Sequence, residues 1–209
     1  QMGEGWSDYF AALLQIKLND TGENPIGIGS FSSGNNRNAL GIRRYPYSTN
    51  MAINPLTYQN IAEYTFTNNG QKNINSHAIG SVWASILWDL TWNLIDIYGF
   101  DSDYSNTESG NYKAVEIIIN ALKLQPCNPS FVTGRNALLS ADLILNNGEN
   151  SCTIWQSFAR RGVGKNALAG LNDFADDLND QIVDFNLPEN CNLALIENTT
   201  NPILKAYPN

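Results

Sequence analysis

The feature that most constrains this chain is the segment from residue 76 to 98, SHAIGSVWASILWDLTWNLIDIY, followed by Gly99. Ile79, Trp83, Ile86, Leu87, Leu90 and Leu94 fall on one stripe at helical spacing, and glycine is the residue that most often stops a helix. A helix of this length and apolarity is expected to be the core element around which others pack. Ser81, Ser85, Asp89 and Thr91 interrupt it, so it falls short of the roughly 20 apolar residues of a membrane span. Trp83, Trp88 and Trp92 recur near helical spacing and read as core aromatics rather than as a platform for sugars.

Further helices are expected over about 4–18 (Trp6, Tyr9, Phe10, Leu13, Leu14), 111–124, 130–146 and 151–161, with a short one over 164–170. Residues 19–75 are rich in Gly, Asn, Pro and Ser, hold no helical period, and read as a long loop-rich excursion. The fold class is therefore mostly α. The domain plan places the helical part at 1–172, an acidic arm or linker at 173–200 (beginning DFADDLNDQIVD), and a distinct terminal piece at 201–209. The first residues, QMGEGWSDYFAALLQ, lack the pattern of a signal peptide and open inside a helical period, as expected of a piece of a longer protein.

The formal charge of −8, with only 12 Lys and Arg, lacks the basic footprint of a nucleic-acid binder. Cys127, Cys152 and Cys191 contain no CxxC pair. One disulfide with a leftover thiol is the expectation, with Cys127 and Cys152 the favoured pair at roughly 3 kcal/mol in the chain-entropy model; free buried thiols are the alternative.

Glu4 and Asp8 stand at i and i+4, so their carboxylates project from one helix face. That spacing suits either a first-turn pair favoured by the helix dipole or a metal ligand with a hydrogen-bonding neighbour. Asp101, Asp103, Asn106 and Glu108 gather hard oxygen donors and suggest Ca²⁺, without the spacing or glycine of an EF-hand. His77 is the one histidine, so the chain cannot supply an HExxH pair.

The run Gly3-Glu4-Gly5-Trp6-Ser7-Asp8 resembles the E-G-W-S-D motif of fungalysin metallopeptidases and, more distantly, the matching helix of the thermolysin-like superfamily. The resemblance continues, in family order, through GIRRYPYSTNMAINPLTY (41–58), SHAIGSVWASILWDL (76–90), LQPCNPSF (124–131), GRNALLSAD (134–142) and IWQSFARRGVG (154–164). It implies a thermolysin-like C-terminal helical subdomain of a zinc endopeptidase acting on protein substrates. By this resemblance Glu4 is a Zn²⁺ ligand, and Asp8 accepts a hydrogen bond from a zinc-binding histidine. His77 donates to the oxyanion, and Arg43 or Arg44 binds substrate. The remaining zinc ligands and the HExxH glutamate would come from the upstream half of the same domain, and this chain alone would be inactive.

The ending Leu204-Lys205-Ala206-Tyr207-Pro208-Asn209 looks like the start of the sorting domain used in type IX secretion by Bacteroidota, which implies an exported protein. The competing expectation is a secreted, non-catalytic binding or adhesion module on a degenerate peptidase fold.

Overall fold

A computed structural model describes residues 1–69, 71–170 and 180–191. Its elements are α1 (Met2–Leu13), a hairpin of β1 (Thr65–Asn68) and β2 (Gln71–Ile74), α2 (Ser76–Tyr98), α3 (Gly110–Leu124), α4 (Phe131–Asn146) and α5 (Ser151–Arg160). Two 3₁₀ segments, Ser30–Ser33 and Tyr58–Tyr64, lie in the excursion between α1 and α2. The mostly α class and the central helix stand as read from sequence.

Every residue of α2 from Ile79 to Trp92 is buried, because α1, α3, α5 and the second 3₁₀ segment cover it on different sides. Asn75 caps its start by accepting from the Ala78 amide, and Gly99 ends it at φ 84°. Trp83 is the hub of the core. Its ring meets Trp6 of α1, Phe131 of α4 and Phe158 of α5 edge-on, with centroids 5.1–5.6 Å apart. Burying one such indole removes roughly 150–250 Å² from water, about 4–6 kcal/mol. A Cβ at Gly134 would come within 2.6 Å of that ring, so α4 can approach Trp83 only with glycine there. No described helix is long and apolar enough to cross a membrane.

The excursion is ordered by buried ion pairs rather than by regular structure. Arg161, wholly inaccessible, donates to Asp89 of α2 through Nε (2.7 Å) and Nη2 (3.0 Å). Its remaining donors reach the carbonyls of Asn54 (2.7 Å), Leu56 (2.8 Å) and Ser48 (3.1 Å). Arg160 adds a bond to Asp89 at 2.8 Å and another to the carbonyl of Thr49. One acidic residue on the core helix thus fastens loop 48–56 through two arginines at the end of α5.

Several expectations change. Helix α1 stops at Leu13 rather than continuing to residue 18. Leu14 and Leu18 are 74% and 72% exposed, so no surface waits to bury another turn. The 65–74 hairpin was not expected from the Gly- and Asn-rich composition. The short helix at 164–170 is replaced by bridge pairings, Val163 with Asp184 and Leu168 with Ile182, which satisfy those backbone groups across the chain.

The disulfide joins Cys152 to Cys191, not Cys127 to Cys152. Cys127 lies exposed in the α3–α4 connection and is a free thiol, whereas the Cα atoms of Cys152 and Cys191 are 5.2 Å apart. Of the stretch expected to be an acidic arm, residues 173–179 and 192–200 lie outside the described residues. Residues 180–191 run against the helical body, with Asp184 buried and accepting from the Asn166 amide at 2.8 Å. Residues 201–209 also lie outside the described residues.

Candidate active site

Helices α1 and α2 touch where two glycines meet. A Cβ on Gly5 would sit 2.4 Å from the Gly80 carbonyl oxygen, and one on Gly80 would sit 2.6 Å from the Gly5 amide nitrogen. Each residue must lack a side chain for the axes to come this close. Glu4 precedes Gly5, and His77 lies on the first turn of α2, three residues before Gly80. The crossing therefore carries the two side chains to one spot, with His77 Nδ1 2.9 Å from Glu4 Oε2. Both are part exposed, 59% for the imidazole side chain and 42% for the carboxylate. Glu4 Oε1 takes no hydrogen bond among the described residues.

Asp8, one turn along α1, is buried, and its carboxylate is gripped from the excursion. Arg43 donates through Nε to Oδ2 and through Nη2 to Oδ1, both at 2.7 Å. The Tyr47 hydroxyl donates to Oδ2 at 2.6 Å. Burial, and after it the Asp8 charge, pushes the Tyr47 hydroxyl well above its usual range, so it stays a donor. The two hydrogen bonds that Arg43 donates to Asp8 raise its own pKa. Arg43 keeps both Nη1 protons and one Nη2 proton for other partners.

A cleft of about 310 Å³ opens beside His77, lined by Arg43, Arg44, Ile42, Leu56 and Tyr64 among others. The structure thus brings together Glu4, His77, Asp8, Arg43 and Arg44. It keeps Cys127 and Cys152 apart. In the 101–108 loop, Asp101 accepts from the Asp103 amide and from Asn106 Nδ2, and Asp103 accepts from the Ser105 amide. These bonds hold both carboxyls below the usual range. Among the described residues no three His, Cys, Asp or Glu side chains converge on a metal position, in this loop or around Glu4.

Sequence reasoning missed Gly80, Tyr47, Leu56 and Tyr64. Only Gly80 left a trace, a glycine inside an otherwise strong helical period, which signals close approach of another backbone.

The sequence profile of the fungalysin metallopeptidase (M36) family matches residues 1–167. The chain belongs to the fungalysin family. Similar proteins include an extracellular metalloproteinase of Pyrenophora tritici-repentis, 40% identical over 80% of this chain and 25% of that protein. Another, the extracellular metalloproteinase mep of Aspergillus fumigatus, is 43% identical over 79% of this chain and 25% of its own length. Extracellular metalloproteinase 10 of Coccidioides posadasii is 41% identical over 82% and 26% respectively. The fungalysin chain spans about a quarter of the length of these curated relatives. The match takes in α1 and α2, and so the Glu4–His77 pair as well as Arg43 and Arg44.

Proposed function

We propose that this chain is the C-terminal part of the peptidase domain of a secreted zinc endopeptidase that cleaves peptide bonds in proteins. The observation that carries the reading is the 2.9 Å contact between Glu4 and His77 at the mouth of the Arg43–Arg44 cleft. Glu4 fits as one oxygen ligand of Zn²⁺, because its carboxylate is part exposed and has one oxygen unengaged among the described residues. A lone carboxylate makes a poor site, so the other ligands belong to the upstream half of the domain. Bound zinc would supply Lewis-acid polarisation of the scissile carbonyl and a bound water of lowered pKa.

The residues of this chain then divide the remaining work. His77, whose Nδ1 lies 2.9 Å from Glu4 Oε2, offers an Nε2 proton to the oxygen that gains charge. Arg43, held on two nitrogens by Asp8, presents Nη1 to a substrate carbonyl from a fixed position. Asp8 has three of about four acceptor directions filled, which leaves one for a zinc-binding histidine of the upstream half.

Export is part of the proposal and is supported by the extracellular relatives and by the disulfide. The type IX route rests on residues 201–209 alone, and the relatives named here, being fungal, add nothing to it. Calcium at the 101–108 loop remains a proposal without a convergent donor set.

The test compares casein hydrolysis by the full-length parent with that by residues 1–209. The reading predicts chelator-sensitive cleavage by the parent and none by the fragment. A folded, zinc-free, inactive parent would favour the binding-module alternative, and chelator-sensitive cleavage by the fragment would contradict the division of ligands.

A further inference from the structure

The charges around the cleft do not cancel equally. Arg43 is neutralised by the two bonds to Asp8, and His77 faces Glu4. Arg44 is exposed, lines the same cleft, and makes no ion pair among the described residues. In a chain of net charge −8, an uncompensated guanidinium at the mouth of a cleft stands out.

Arg44 is also held in place. Its guanidinium lies over the Tyr45 ring, 5.4 Å from the centroid. Tyr64 flanks it from the second 3₁₀ segment. Burial pushes the Tyr64 hydroxyl pKa up while the Arg44 charge pulls it down, so the two groups are close enough to interact. Glu63, the neighbouring carboxylate, accepts from Asn60 Nδ2 at 3.2 Å.

The cleft, about 310 Å³, admits a side chain, with Ile42, Leu56 and Ala78 as apolar walls for its stem. Arg44 at the rim matches a planar anion that can accept two parallel N–H bonds. We propose that Arg44 is a specificity-determining residue that selects a carboxylate in the substrate. That carboxylate is an acidic side chain next to the bond cleaved, or the free C-terminus of a short peptide. The inference rests on the peptidase reading for the position of the scissile bond; the recognition of a carboxylate by Arg44 stands on the cleft itself.

The experiment uses the full-length parent and peptide pairs that differ by Glu against Gln at each position flanking the cleaved bond, each made with a free and an amidated C-terminus. At low salt kcat/KM for the preferred Glu peptide should exceed that of its Gln partner by about tenfold, and the ratio should fall as ionic strength rises. Arg44→Gln should bring the ratio to one, and Arg44→Lys should keep part of it. A preference that follows the free C-terminus instead of the internal Glu identifies the second carboxylate source.

A ratio unchanged in Arg44→Gln, or a ratio of one in the wild type with both peptide sets, overturns the proposal. A parent that cleaves none of the peptides refutes the peptidase reading. The same pairs in titration calorimetry then decide Arg44: tighter binding of carboxylate peptides, lost in Arg44→Gln, supports it, and equal binding overturns it.

Discussion

Replacing Arg161 with methionine should cost this chain about 4 kcal/mol. The guanidinium is fully buried and Asp89 is 1% exposed, and stripping one partner from a buried ion pair typically costs about 3–5 kcal/mol. Arg160 still reaches Asp89 at 2.8 Å, which holds the charge penalty near the lower end of that range. The carbonyls of Ser48, Asn54 and Leu56 lose their donors, about 1–3 kcal/mol for each that stays dry. Loop 48–56 can escape part of that penalty by opening to water, so the terms do not simply add.

Urea unfolding followed by tryptophan fluorescence measures the loss, with the Tm lowered by about 8–16 °C at this chain length. A companion double variant, Asp89→Leu with Arg161→Met, should lose at least 1 kcal/mol less than the two single losses combined, because it removes both buried charges together. A loss below about 1 kcal/mol for Arg161→Met at unchanged m-value would refute the claim that this pair fastens the excursion to the core.

Other consequences are as direct. Gly80→Ala should push α1 off α2 and cost about 1–3 kcal/mol through overpacking, measurable as a lower urea midpoint, since its Cβ would meet the Gly5 amide at 2.6 Å. Cys152→Ser should lose up to about 4 kcal/mol on the loop-entropy argument for a separation of 39 residues, and the native chain should titrate one accessible thiol, Cys127. Arg37 hydrogen-bonds Asp20 on both oxygens at 2.6 Å and holds its carboxyl below the usual range. That stabilisation is complete above the unfolded carboxyl pKa of about 3.9 and is lost as pH falls through the folded value. The urea midpoint of Arg37→Gln should therefore lag the wild type at neutral pH and converge with it in acid.

The helices were legible because their apolar residues repeat at helical spacing, and α2, whose start is marked by Asn75 and end by Gly99, was read to the residue. The hairpin was not, although Asn69-Gly70 is the strongest short hairpin signal; Asn69 adopts φ 51° as such a turn requires. Its strands are four residues each, too short to show an alternation against the polar background. Disulfide pairing depends on which Cα atoms tertiary packing brings within reach, and spacing alone favoured the wrong partner for Cys152.

The family resemblance brought Glu4, His77 and the two arginines into view together. It carried no information on how Asp8 divides them. Asp8 lies 35 residues from Arg43, and only the folded excursion pairs Arg43 with a carboxylate and leaves Arg44 without an ion pair among the described residues. The ion-pair cluster of exposed Arg160 and buried Arg161 escaped notice for the same reason, since its partners lie 71–113 residues away in the chain.

Zinc stoichiometry of the full-length parent carrying Glu4→Ala or His77→Phe, read beside kcat on one peptide, tests the central claim most directly. Loss of zinc from Glu4→Ala is predicted, with zinc retained in His77→Phe and kcat lowered about 10²–10³-fold by removal of one oxyanion donor. Equal zinc content in the two variants would contradict the assignment of Glu4 as ligand and His77 as donor.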